Sequence, residues 1–164
     1  ECLVGSEMCI RDRYCVSPWV LVWENGNYYL IAYTDGRLKH YRVDKMQNVR
    51  PLPDTTREGA DEYANFDVNT YMQQMFGMFN GPLKRVTLLC ENRFAGAMID
   101  RFGTGPVLVP CADGEHFTMT AEIQVSPQFF GWVAGFGTGV VVSGPPEVRA
   151  EMKKTLDQLQ ELYR

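Results

Sequence analysis

The chain has 164 residues, with 16 Lys and Arg against 20 Asp and Glu and a net charge of −4, which argues against a protein that coats nucleic acid along its length. Its apolar, aromatic and charged content is ordinary for a globular protein of one domain or two small ones, and no apolar run approaches the roughly 18 residues of a membrane helix. Of five cysteines, Cys2 and Cys9 fall in an atypical leader; Cys15, Cys90 and Cys111 lack CxxC spacing and fit reduced thiols in a cytoplasmic protein better than a disulfide framework.

Residues 2–13 read CLVGSEMCIRDR, with no turn, cap or amphipathic period leading into Tyr14 and the residues beyond it. The string resembles the translation of a transposase-type sequencing adapter. Residues 1–13 are therefore set aside as a non-native leader. The native chain is expected to begin near Tyr14, inside a longer reading frame whose upstream part is absent.

Three strands are predicted between residues 17 and 49. Residues 19–23 (WVLVW) are aromatic and β-branched, as strands prefer. Asn25-Gly26 marks a tight hairpin, residues 28–33 (YYLIAY) form the second strand, and Asp35-Gly36 marks the next turn. Residues 38–43 form the third, with Leu38, His40 and Arg42 on one face and Lys39, Tyr41 and Val43 on the other. A meander of this kind fits part of a small β-barrel over residues 14–50, and its exposed edges imply further strands upstream.

Residues 51–62 are rich in Pro, Asp, Thr and Glu without an apolar period and read as a linker. A short helix capped by Asp67 runs to about Phe76, completing a connecting segment over 51–83. Over 84–164 the expected order is β-α-β-β-α-β-α. Strands fall at 85–90, 107–109, 116–125 and 139–143, and helices at 92–102 and 127–134. A final helix behind Pro145-Pro146 carries Val148, Met152, Leu156, Leu159 and Tyr163 on one stripe. The whole is α+β: a partial barrel followed by a ferredoxin-like βαββαβ sandwich with a C-terminal helix.

Two segments resemble a known family. The stretch SPWVLVWENGNYYLIAYTDGRLKHYRVDKM resembles the core of the WYL domain. Tyr28, Tyr29 and Leu30 stand at the name-giving triplet, with Tyr for Trp at its first position; Tyr41-Arg42-Val43-Asp44-Lys45-Met46 stands at the family's ending. VTLLCENRFAGAMIDRFG and FFGWVAGFG resemble the WCX-type extension that follows such domains. The resemblance implies an SH3-like or Sm-like barrel in a bacterial transcriptional regulator. Its winged helix-turn-helix, the part that would touch operator DNA, lies outside this chain. It further implies a nucleotide or single-stranded nucleic acid as effector, a homodimer, and no enzymatic activity. The alternative is a stand-alone Sm-like nucleic-acid-binding module.

From Arg37 to Arg50 five cations face one carboxylate, which suggests a local anion site on an acidic protein. Arg42 is the leading candidate, because a guanidinium takes phosphate through two parallel hydrogen bonds; the competing reading pairs it with Asp44 or another carboxylate. His40 shares its face. Arg37 and Lys45 extend the patch. Tyr28 and Tyr29 point to opposite faces, so one is expected in the core and the other available to stack on a base. No cofactor and no metal are expected: Cys111 and His116 lack further ligands at metal spacing, and Cys90 reads as packing. Asp100-Arg101 reads as an interface pair rather than an acid–base couple. GxSxG, HExxH and phosphate-loop patterns are absent from the sequence.

Overall fold

The computed structural model describes the backbone of residues 2–5 and all of residues 13–164. The chain divides into two compact units, residues 1–67 and 68–164.

The first unit is an open, antiparallel five-stranded sheet. Its strands are β1 (Cys2–Gly5), β2 (Tyr14–Glu24), β3 (Asn27–Thr34), β4 (Arg37–Arg42) and β5 (Arg50–Leu52), ordered β4-β3-β2-β1-β5. The two hairpin turns form as their sequences dictate. Asn25 and Gly26 sit at φ 49° and 78°, Asp35 and Gly36 at φ 50° and 77°, the paired left-handed conformation whose twist matches that of the flanking strands. With both turns two residues long, the register across β2, β3 and β4 follows by counting.

Two features differ from the expectation. The strand predicted to begin at Trp19 begins at Tyr14, because Pro18 does not break it. The register shifts between Pro18 and Val20, so Trp19 has no partner in the β2–β3 ladder. A bulge is one of the few strand positions that tolerates proline. The second feature is Cys2–Gly5, set aside as leader, which pairs with Tyr14–Val16 on one side and with Arg50–Leu52 on the other. Ladder bonds use backbone alone, so many sequences can fill such a slot. The remainder of the expected leader, residues 1 and 6–12, lies outside the described residues.

The segment expected to be a linker is pinned to its own sheet. It contains β5 and a one-turn helix, α1 (Ala60–Ala64). The buried Ser17 hydroxyl accepts a hydrogen bond from the Glu58 amide at 2.8 Å, and the Trp19 indole donates to the Glu58 carbonyl at 3.0 Å. The Trp19 ring is sandwiched: Tyr63 stacks on it at 4.7 Å with 17° between the planes, and the Arg57 guanidinium lies 3.8 Å from its centroid. The Tyr33 hydroxyl reaches Glu62 at 3.3 Å. These contacts join residues 29 to about forty positions apart and leave no periodicity in the polar segment that makes them. The small core of this unit is Val16, Leu30 and Ala32, flanked by Tyr14, Tyr41 and Met46.

The second unit contains α2 (Val68–Gln74), β6 (Leu83–Glu91), α3 (Ala95–Phe102), β7 (Val109–Pro110), β8 (His116–Gln124), α4 (Pro127–Ala134), β9 (Val140–Gly144) and α5 (Pro146–Leu162). The sheet runs β7-β8-β6-β9 with antiparallel neighbours, the strand order of the ferredoxin-like sandwich. Val86, Leu88 and Cys90 alternate along β6 onto the buried face, opposite Ala121, Met119 and Phe117 of β8. Phe129, Phe130 and Val133 of α4 join the same core. Ser126 caps α4 as expected, its hydroxyl accepting from the Phe129 amide at 3.3 Å. The helix expected from Asn92 begins instead with a 3-10 turn at Asn92–Phe94, and the Asn92 side chain donates to the Gly114 carbonyl. Arg101 donates to the Met75 carbonyl, and its guanidinium covers the Phe76 ring at 4.1 Å.

Candidate functional site

The register places Tyr29 opposite Arg42 and Ile31 opposite His40, so Tyr29, His40 and Arg42 share one sheet face. The Tyr29 and His40 rings meet edge to face at 6.1 Å. Arg42 ends the edge strand β4. Its Nε donates to Asp44 Oδ1 at 2.9 Å and its Nη2 to Asp44 Oδ2 at 2.9 Å, while Nη2 also donates to Asn27 Oδ1 at 2.7 Å. Lys45 approaches the same carboxylate at 3.6 Å. The arrangement has two cations on one anion, with the guanidinium held in a fixed plane by two neighbours. The pairing of Arg42 with Asp44, the reading that competes with an anion site, is present.

The remaining candidates separate. Tyr28 lies on the reverse face, against Trp23 at 4.6 Å with 69° between the rings. Tyr28 is 54% exposed and Tyr29 only 8%, so Tyr29 is the buried member of the pair. Arg37 stands at the opposite end of β4, across from Thr34. Lys39 is tied to Asp35 at 2.6 Å. The structure thus brings together Tyr29, His40, Arg42 and Lys45, and leaves Tyr28 and Arg37 apart from them. Sequence reasoning missed Asn27 and Trp23. Both were within reach, because a two-residue turn at Asn25-Gly26 forces Glu24 opposite Asn27 and Trp23 opposite Tyr28.

The hydrogen bonds from Arg42, then its charge, hold the Asp44 carboxyl below the usual carboxylate range despite partial desolvation. Because the folded value is depressed, the pair contributes above the ordinary carboxylate pKa and its contribution is lost as pH falls through Asp44's folded value. An NMR titration of the Asp44 carboxyl should therefore show a midpoint below that of a free aspartate, and Arg42→Ala should move it up. A midpoint indifferent to Arg42→Ala would show that the pair does not persist in solution. Since both groups are exposed, the substitution should change stability little.

Among the described residues no group of three or more His, Cys, Asp and Glu is placed to hold a metal ion. His116 is engaged in a local turn, its Nδ1 2.8 Å from Asp113 Oδ2. Burial pushes the Cys90 thiol up to about 11, which keeps it protonated and inert. The Tyr41 hydroxyl is buried without a hydrogen-bond partner among the described residues, and burial raises it to about 12.

Comparison with known families places both units. Residues 10–51 match the WYL domain and residues 82–160 match the WCX domain. The chain joins a WYL domain to a WCX domain. The candidate residues all lie in the WYL domain, and the ferredoxin-like unit is the WCX domain. None of the curated proteins matches the chain. One similar solved structure is described as a CRISPR Cas-related protein. It is 14% identical, with a TM-score of 0.53, over 99% of this chain and 47% of the other. Another is proteasome accessory factor B/C (PafBC) of Arthrobacter aurescens, 18% identical with a TM-score of 0.38, over 92% of this chain and 23% of the other. At these identities the first likeness speaks to fold alone. The WYL–WCX chain spans less than half the length of either. No helix among the described residues is long and apolar enough to cross a membrane.

Proposed function

We propose that this WYL–WCX chain is the effector-sensing and dimerising part of a bacterial transcriptional regulator, acting in the cytoplasm without enzymatic chemistry. The effector is anionic, a nucleotide or a single-stranded nucleic acid. It binds at the end of the WYL sheet through Arg42 and Lys45, with His40 and Tyr29 beside them. Arg37 lies too far along β4 to share that contact and would meet only a longer ligand. Operator DNA is contacted through a winged helix-turn-helix that is not in this chain.

The observation that carries the reading is the fixed Arg42 guanidinium at the exposed end of an edge strand, steadied by Asn27 and Asp44. A phosphate can replace the Asp44 carboxylate, or add to the Arg42–Lys45 pair, without reorganising the sheet. Releasing Asp44 and its 3-10 turn at Val43–Lys45 then changes the chain direction just before β5. A ligand that favours the released state shifts the population toward it, and the shift is the signal.

Dimerisation is proposed through α5. Leu156, Leu159, Leu162 and Tyr163 are exposed near its end, while Val148 at its start is buried. Leu159→Glu should reduce the sedimentation mass of a dimer to that of a monomer.

The effector reading is tested by titrating the chain with a fluorescent oligonucleotide at two salt concentrations. Binding should weaken as salt rises, and Arg42→Ala should weaken it about tenfold or more, the loss expected of one charge-assisted contact. Equal binding by the parent and by Arg42→Ala would overturn the assignment of Arg42.

A further inference from the structure

The WCX domain holds a cleft that has no part in the anion site. It lies along the free edge of β8. β7 pairs with β8 only at Val109 with Thr118 and Pro110 with Phe117. Continued residue for residue, that ladder would set Val107 opposite Thr120 and Gly105 opposite Glu122. Instead the chain bends at Gly105 and Pro106 and stands off the strand. The gap bounded by this bend, by β8 and by α2 measures about 360 Å³, within the range of small-ligand sites of about 300–1,000 Å³.

The lining combines an apolar wall, a strand edge, two amides and one charge. Phe102, 4% exposed, and Pro106 form the wall. In an antiparallel strand, alternate residues turn both backbone groups toward the same neighbour. Over Thr120–Glu122 at least one residue therefore turns its N–H and C=O away from β6, and among the described residues no strand meets them there. Gln73 and Gln74 of α2 close the third side. Gly103, at φ 69°, leaves room for the Gln73 amide: a Cβ there would lie 3.1 Å from Gln73 Nε2. Gln74 Nε2 donates a long hydrogen bond of 3.4 Å to Glu122 Oε2. Arg85 stands opposite Glu122 in the β6–β8 ladder, yet among the described residues no ion pair joins them.

We propose that this cleft binds a short free peptide by its amino end. The ammonium meets Glu122, the first peptide group lies along the β8 edge between the glutamine amides, and a small apolar first side chain rests on Phe102 and Pro106. An ammonium answers the negative charge through charge-assisted hydrogen bonds. A peptide group carries the donor and the acceptor that a strand edge and a primary amide both take. A bare anion would be repelled by Glu122, and a purely apolar molecule would leave the strand edge and the amides without partners. The site belongs to the other compact unit from Arg42 and does not rest on the effector reading there.

The test follows the amide NMR signals of the whole chain as alanyl-alanine is added. The side-chain signals of Gln73 and Gln74 and the backbone signals of Thr120, Ala121 and Glu122 should move and saturate. N-acetyl-alanyl-alanine, which lacks the ammonium, should bind about tenfold more weakly or worse, the loss expected of one charge-assisted hydrogen bond. Free alanine, which has the ammonium but no peptide group, should also bind more weakly than the dipeptide. Glu122→Gln should bring the free dipeptide down to the level of the acetylated one. The absence of saturable movement at these signals would overturn the proposal. So would equal binding of the free and acetylated dipeptides, equal binding of alanine and alanyl-alanine, or undiminished dipeptide binding by Glu122→Gln. Each of these outcomes leaves the Arg42 reading standing, because the oligonucleotide titration measures that site separately.

Discussion

Phe129→Ala is expected to cost the WCX domain about 3–5 kcal/mol, the usual loss for a buried phenylalanine. Phe129 is 0% exposed and sits on α4 between two aromatic neighbours, with the Phe76 ring at 5.2 Å and the Phe130 ring at 5.5 Å. The backbone on either side is fixed, by the Ser126 cap at the start of the helix and by Gly135 at its end. The site cannot collapse to fill the space, so a cavity term adds to the lost transfer energy. Against a domain stability of about 5–15 kcal/mol, this is about a fifth or more of the total. Urea unfolding followed by circular dichroism measures it as a lower midpoint with an unchanged slope. Phe129→Leu, which keeps most of the volume, should lose distinctly less. A loss below about 1 kcal/mol for Phe129→Ala would show that the core repacks around α4.

The second large effect is expected at Gly59, through local unfolding. Gly59 has φ 81°, and a Cβ there would lie 2.3 Å from Tyr33 Cγ. Alanine pays about 1–2 kcal/mol for the left-handed backbone and collides with a ring that the sheet holds in place. The contacts it would disturb are those that pin the segment to β2, the Ser17–Glu58 hydrogen bond and the Trp19 sandwich. Gly59→Ala should therefore release residues 54–66 more often, and trypsin should cleave after Arg57 more than tenfold faster, as expected when opening becomes easier by more than about 1.4 kcal/mol. Adding Tyr33→Ala removes the collision but not the backbone cost, and should restore part of the protection. An unchanged cleavage rate in Gly59→Ala would mean that the segment is already open in solution.

Local chemistry was readable in the sequence and non-local pairing was not. Asn25-Gly26 and Asp35-Gly36 each specify a turn two residues long, and together they determine which residues share a face. The grouping of Tyr29 with His40 and Arg42, and its separation from Tyr28, follows by counting from those turns. The alternation of β6 and β8, the Ser126 cap and the Pro146 start of α5 are equally local. The pinned segment escaped because its anchors, Ser17 with Glu58 and Trp19 with Tyr63, are polar or aromatic contacts across about forty residues. Such contacts impose no period on a stretch of Pro, Asp, Thr and Glu. The long β2 escaped because Pro18 reads as a breaker unless the bulge is known. Which of Tyr28 and Tyr29 is buried depends on what covers each face, and alternation alone does not say.

The bulge at Trp19 makes one position of β2 tolerant of a change in chain length that the rest of the strand is not. Val16, before the bulge, packs with Leu30 and Ala32, while Val22, after it, stands opposite Tyr29 on the other face, although strict alternation over six residues would put both on one face. The ladder, however, counts Pro18 to Val20 as one step against Ala32 and Ile31. Deleting Trp19 would therefore leave the β2–β3 ladder in register, with Pro18 and Val20 as ordinary neighbours and Leu21 and Trp23 on their present face, while removing the ring held between Tyr63 and Arg57. Loss of a paired residue between Val20 and Glu24 would instead shift the side chains before it to the other face, whereas loss of the bulge residue should leave the face that carries Trp23 and Tyr28 untouched.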